Sequence, residues 1–104
     1  MSNDLEGVEL AMALEEALLD GDKQVSVLKP YLLDAPVVAL CIRGGFETEV
    51  VVYAKHRHTA FFVATDSAQF GIGTTNEFGD VIEAFHYPNL TMALRAFVGA
   101  ANRA

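Results

Sequence analysis

PVVALCIRGGFETEVVVYA, residues 36–54, sets two runs rich in β-branched residues on either side of the pair Gly44–Gly45. Adjacent glycines supply the positive φ values of a two-residue hairpin, so Arg43 is expected opposite Phe46. After KHRH the run TAFFVATD, residues 59–66, predicts a third strand, with Ala54 opposite Thr59 across a four-residue loop. A three-stranded antiparallel meander is therefore the nucleus of the fold.

Alternation along these strands assigns two faces. Val37, Ala39, Cys41, Phe46, Val50, Val52, Phe61 and Val63 fall on one, which is expected to meet the helices. Val38, Leu40, Ile42, Val51, Tyr53, Ala60 and Phe62 fall on the other, with Glu47 and Glu49 beside the first turn. A sheet face open to water carries more polar residues than this, and a monomer rarely exposes so large an apolar patch. The second face is expected to be covered, most simply by a second copy of the chain.

Upstream, NDLEGVELAMALEEALLDG predicts a helix capped by Asn3 or Asp4 and ended by Gly21. It carries two apolar stripes, Leu5, Val8, Met12 and Leu19 on one side and Leu10, Leu14 and Leu18 with Ala11 and Ala17 on the other. One stripe suffices for a surface helix, so Leu10, Leu14 and Leu18 are a second candidate contact surface. Val25, Leu28 and Leu32 then predict a short helix, kinked or split near Lys29 because Pro30 lacks an amide proton and restricts its predecessor. A strand beginning at Pro36 follows.

Downstream, TNEFGDVIEAF reads two ways. Phe78, Val81, Ile82 and Phe85 fit helical spacing, and Thr74 with Glu77 fits a capping box. Gly79 weakens a helix interior, and EFGD reads as a turn into the strand VIEAFHY, which is the preferred assignment. Asn89 caps a last helix whose Leu90, Leu94, Phe97, Val98 and Ala101 form one stripe. The fold class is α+β: a two-layer arrangement of four to five antiparallel strands on N- and C-terminal helices, as one domain over residues 1–104.

Composition narrows the function. The 104 residues are 52% hydrophobic and 20% charged, enough apolar surface for a compact core. The net charge is −7, from 14 acids and 7 bases. Half the acids, Asp4, Glu6, Glu9, Glu15, Glu16, Asp20 and Asp22, precede the first base. Clustered Lys and Arg are what bind phosphate, so neither nucleic acid nor an anionic membrane is an expected partner. Cys41, the one cysteine, permits no internal disulfide and sits in an apolar run as a buried thiol. With an acidic N-terminus and no long apolar run, the expected location is the cytoplasm.

Motifs for chemistry are sparse. His56 and His58 could share a metal, but zinc takes three or four ligands and no cysteine or carboxylate lies near them in sequence, so no metal is assigned. They read as part of a solvated turn, able with Lys55 and Arg57 to hook an anion. His86 joins them only if the fold brings it there. Glu47 and Glu49 could hold a cation or act as an acid/base pair, although charge at a strand end is the simpler reading. GIGTT, residues 71–75, lacks the third glycine and βαβ context of a dinucleotide site and reads as a flexible turn. The aromatics Tyr53, Phe62, Phe70, Phe78, Phe85 and Tyr87, with Met12 and Met92, could line a cavity but fit packed core or interface better.

The reading that results is a small acidic, non-catalytic binding protein, homodimeric through the second sheet face or the first helix. Its ligand would be a protein or a small apolar or cationic molecule, with no cofactor. Interface or ligand-binding candidates are Val38, Leu40, Glu47, Glu49, Val51, Tyr53, His58 and Phe62. The alternative is a small hydrolase or isomerase using His58 or His86 with a carboxylate in a cleft at the dimer interface.

Overall fold

The computed structural model describes residues 3–65, 67 and 69–103, with side chains from residue 9 onward. Helix α1, Asn3–Asp20, leads into a 3₁₀ helix, Val25–Tyr31, and then the strands β1 Leu32–Arg43, β2 Phe46–His56, β3 Thr59–Ala64, β4 Gln69–Thr75 and β5 Val81–Tyr87. Helix α2, Leu90–Arg103, follows. The five strands pair antiparallel in chain order, and one parallel pair, Cys41 with Val81, joins β1 to β5 and curls the sheet into a barrel. The architecture is the expected α+β arrangement, a five-stranded antiparallel sheet with N- and C-terminal helices on one side.

Local chemistry explains most boundaries. Gly21 is left-handed at φ 73°, and the Asp22 amide reaches back to the Ala17 carbonyl at 3.1 Å, a glycine-stopped helix end. The start of α1 falls where Asn3 or Asp4 was expected to cap it, but that cap lies outside the described side chains. The 3₁₀ helix runs unbroken through Pro30, where a kink or split was expected. Its period of three stacks Val25, Leu28 and Tyr31 on one face, so Leu32, read as helical, begins β1 four residues before the expected Pro36. Asn89 caps α2 as expected, its Oδ1 accepting the Met92 amide at 2.9 Å.

Arg43 does face Phe46 across the glycine pair, both glycines having positive φ. The next hairpin differs. His56 pairs with Thr59, leaving a two-residue turn, Arg57–His58, in which Arg57 takes φ 56°. A bulge then slips the register from Ala54–Phe61 to Val52–Phe62. Together these put β3 one residue away from the expected pairing, and a one-residue slip exchanges the faces of a strand.

The two faces are therefore regrouped. Cys41, Val50, Val52, Ala60, Phe62, Ala64, Val81 and Ala84 fill the barrel interior. Tyr53, Ala54, Phe61, Val63 and Phe70 point outward and pack under the helices with Leu14, Val25, Leu28, Ala93, Leu94 and Phe97. Of the face expected to meet the helices, Cys41, Val50 and Val52 line the barrel lumen with Ala39 packed against them, Phe61 and Val63 do meet the helices, and Val37 and Phe46 are exposed. Much of both apolar faces is covered within one chain because the sheet closes on one and carries helices on part of the other, leaving the outer face of β1 bare.

GIGTT is not a turn but most of β4, and its glycines make room. Phe62 pairs with Gly71, where a Cβ would overlap the Phe62 ring, and at Gly73 a Cβ would meet Val81 Cγ1. Residues 81–87 form the strand that was preferred. Asn76 organises the turn before it, its Oδ1 accepting the amides of Phe78 at 2.9 Å and Asp80 at 3.0 Å, so Thr74 and Glu77 start no helix. On α1, Leu10, Ala11, Leu14, Ala17 and Leu18 pack on the core, so the exposed stripe is the other one, through Met12 and Leu19.

Candidate functional site

Register fixes what lies on the outer face of β1. Val38 pairs with Val51, Leu40 with Glu49 and Ile42 with Glu47, and paired residues share a face. The helices rest further round the barrel, α2 against β3, β4 and β5 and α1 against β3. They leave Val38 63% exposed and Leu40 36% exposed. At the side of the strand, the turn between β4 and β5 holds Phe78 out at 80% exposure, and Val37 at the barrel rim is 51% exposed. These residues, with Ala39, Glu49, Gly79 and Asp80, enclose a shallow cleft of about 470 Å³. Its walls are apolar and its charges are carboxylates, with the exposed Glu47 further along β2.

Four of the eight candidate residues, Val38, Leu40, Glu47 and Glu49, lie on this one exposed surface. The other four do not. Val51 is half-buried against the helix-side core. Tyr53 is buried beneath α1 and donates its hydroxyl proton to Glu15 Oε2 at 2.9 Å. Burial, reinforced by that hydrogen bond and the carboxylate's charge, pushes the phenol pKa well above the usual tyrosine range. Phe62 is fully enclosed in the barrel, where the register slip has turned it away from Val38. His58 is exposed in the Arg57–His58 turn, and its backbone carbonyl accepts the Thr75 amide at 2.7 Å.

The histidines have separate neighbours. His56 meets the Tyr31 ring edge-on, with centroids 5.3 Å apart. His86 lies against Phe62, centroids 5.5 Å apart, with its Nδ1 2.9 Å from Arg43 Nη1. A guanidinium can only donate, so Nδ1 is the acceptor in that bond. Among the described residues, no three of His, Cys, Asp and Glu gather in a way that could hold a metal ion. Cys41 is buried in the barrel, as expected. No described helix is long and apolar enough to cross a membrane.

The aromatics expected to act together are dispersed. Tyr53 and Phe70 belong to the helix-side core with Tyr87 at its margin, Phe62 fills the barrel, and Phe78, Phe85, Met12 and Met92 are exposed. Phe78 is the contributor that periodicity hid, since it was read as one position of a helical stripe or a turn. An Asn followed by Gly three residues later signals the turn that carries it. No known family, curated protein or solved structure matches the chain.

Proposed function

We propose that the protein is a non-catalytic binding protein that works as a homodimer, joined through the outer face of β1. The observation that carries this reading is the contiguous apolar surface of Val38, Leu40 and Phe78 left bare beside a well-packed core. Water exclusion from such a patch favours association, and two copies can apply the same patch to each other about a twofold axis. Glu47, Glu49 and Asp80 flank it, so like charges of the two copies oppose the contact, and salt should strengthen the dimer by screening them.

Light scattering at micromolar concentration tests this. Twice the 11.2 kDa chain mass is expected, with a larger dimer fraction at higher salt. Val38→Glu and Leu40→Glu should each give monomer while retaining the far-ultraviolet circular dichroism of the wild type. A wild-type species of chain mass alone across that range would refute the proposal.

A further inference from the structure

A second concavity, sharing no lining residue with the cleft of the proposed dimer face, lies between α1 and the first half of β1. Leu32 of β1 pairs with Ala54 and Val37 with Val52, so four residues, Leu33 to Pro36, span a gap that β2 crosses with Tyr53 alone. Pro36 has no amide to give the ladder, and the chain bows outward there. The bow and the C-terminal half of α1 enclose a groove of about 410 Å³, within the range of small-molecule sites. Its apolar walls are Leu18 and Leu19 of α1 and Leu32, Leu33 and Pro36 of β1, with Tyr53 contributing the floor.

The charged groups described in this groove are of one sign. Glu15 and Asp34 line it, and among the described residues no lysine, arginine or histidine does. Glu15 Oε2 accepts the Tyr53 hydroxyl, which fixes that carboxylate at the wall and leaves Oε1 for another donor. An apolar channel edged by two carboxylates repels fatty acids and other anions, and for a neutral apolar molecule the charges gain nothing. The geometry points to a small amphiphilic amine as the ligand of this groove, with its alkyl or aryl body along the leucines and Pro36 and its ammonium between Glu15 and Asp34. Charge-assisted hydrogen bonds to the two carboxylates supply the selectivity, and burial of the carbon chain supplies most of the affinity.

The probe is n-hexylammonium, compared with hexanol and hexanoate, titrated into the full chain and followed by amide chemical shifts. Saturable binding of hexylammonium is expected, with shifts at Glu15, Leu19, Leu33 and Asp34, weaker binding of hexanol and none of hexanoate. Glu15→Gln keeps an oxygen for Tyr53 and removes only the charge. It and Asp34→Asn should each weaken hexylammonium about tenfold. Leu19→Ser alters an exposed wall residue and should weaken all apolar probes while the unfolding midpoint stays unchanged. Equal binding of hexanol and hexylammonium, or no saturable binding of hexylammonium, would overturn the assignment. The inference does not rest on the dimer: Val38→Glu should keep the site, and loss of binding in that monomer would show instead that the groove is completed by the second copy.

Discussion

β1 and β3 are both strands of apolar residues in the same barrel, yet they meet opposite fates. From Ala60 to Ala64 every residue of β3 is buried, whereas β1 is exposed over most of its length and fully buries only Cys41. Hydrophobicity along the strand does not separate them, since Val37, Val38 and Leu40 are as apolar as Phe61 and Val63. Position does. β3 is central, has paired neighbours on both edges and lies under both helices, while β1 borders the seam and is left out of the helical layer. Burial here is decided by where the helices can reach after the sheet has curled.

Truncation on the two strands is the most direct way to break the comparison. Phe62→Ala should cost about 3–5 kcal/mol, because the barrel cannot collapse around the void. Val38→Ala, measured in dilute monomer by denaturant unfolding, should stay within about 0.5 kcal/mol. A large loss at Val38 in the monomer would mean that β1 is covered within one chain, contrary to its exposure.

A subtler test adds atoms in place of removing them. Gly71→Ala places a methyl group against the Phe62 ring and should destabilise by about 1–3 kcal/mol, as overpacking does. Combined with Phe62→Leu, the same change should cost less, and simple additivity of the two would show that the glycine is not making room for the ring.

A single hydrogen bond is tested where the helical layer ends. Tyr53→Phe removes the bond to Glu15 and should cost about 1 kcal/mol at neutral pH. The Tyr53 pKa is raised in the folded protein, so its contribution is complete below the ordinary tyrosine pKa of about 10 and is lost as pH rises toward the folded value. The unfolded chain releases that proton first. Wild type should therefore lose more stability than Tyr53→Phe above about pH 10, and parallel pH curves for the two proteins would contradict the buried bond.

The same contrast explains what could be read from the sequence. Gly44–Gly45 dictated its hairpin because only glycine accepts that backbone cheaply, and the helix ends at Gly21 and Asn89 were legible for similar chemical reasons. Arg57 gave no such signal. A non-glycine residue at φ 56° and a bulge at Tyr53 shifted β3, and with it Phe61, Phe62 and Val63 exchanged faces. Val38, Leu40, Glu47 and Glu49 share one face, as read, because their grouping depends only on the glycine hairpin. Tyr53 was lost to the exposed surface because α1 covers its end of β2, and Phe62 because its face depended on the second turn and the bulge. Closure is a property of curvature, and nothing local at Cys41 or Val81 announces that they will meet.

That meeting also orders events in time. Each antiparallel pairing joins strands adjacent along the chain and closes a short loop, whereas the Cys41–Val81 contact must gather the whole meander. Chain entropy makes it the slowest of the strand pairings to form. During folding the meander precedes the barrel, and until the seam shuts, Phe62, Val50 and Val52 face water on an open sheet. The interval before closure is when this chain is most exposed to aggregation.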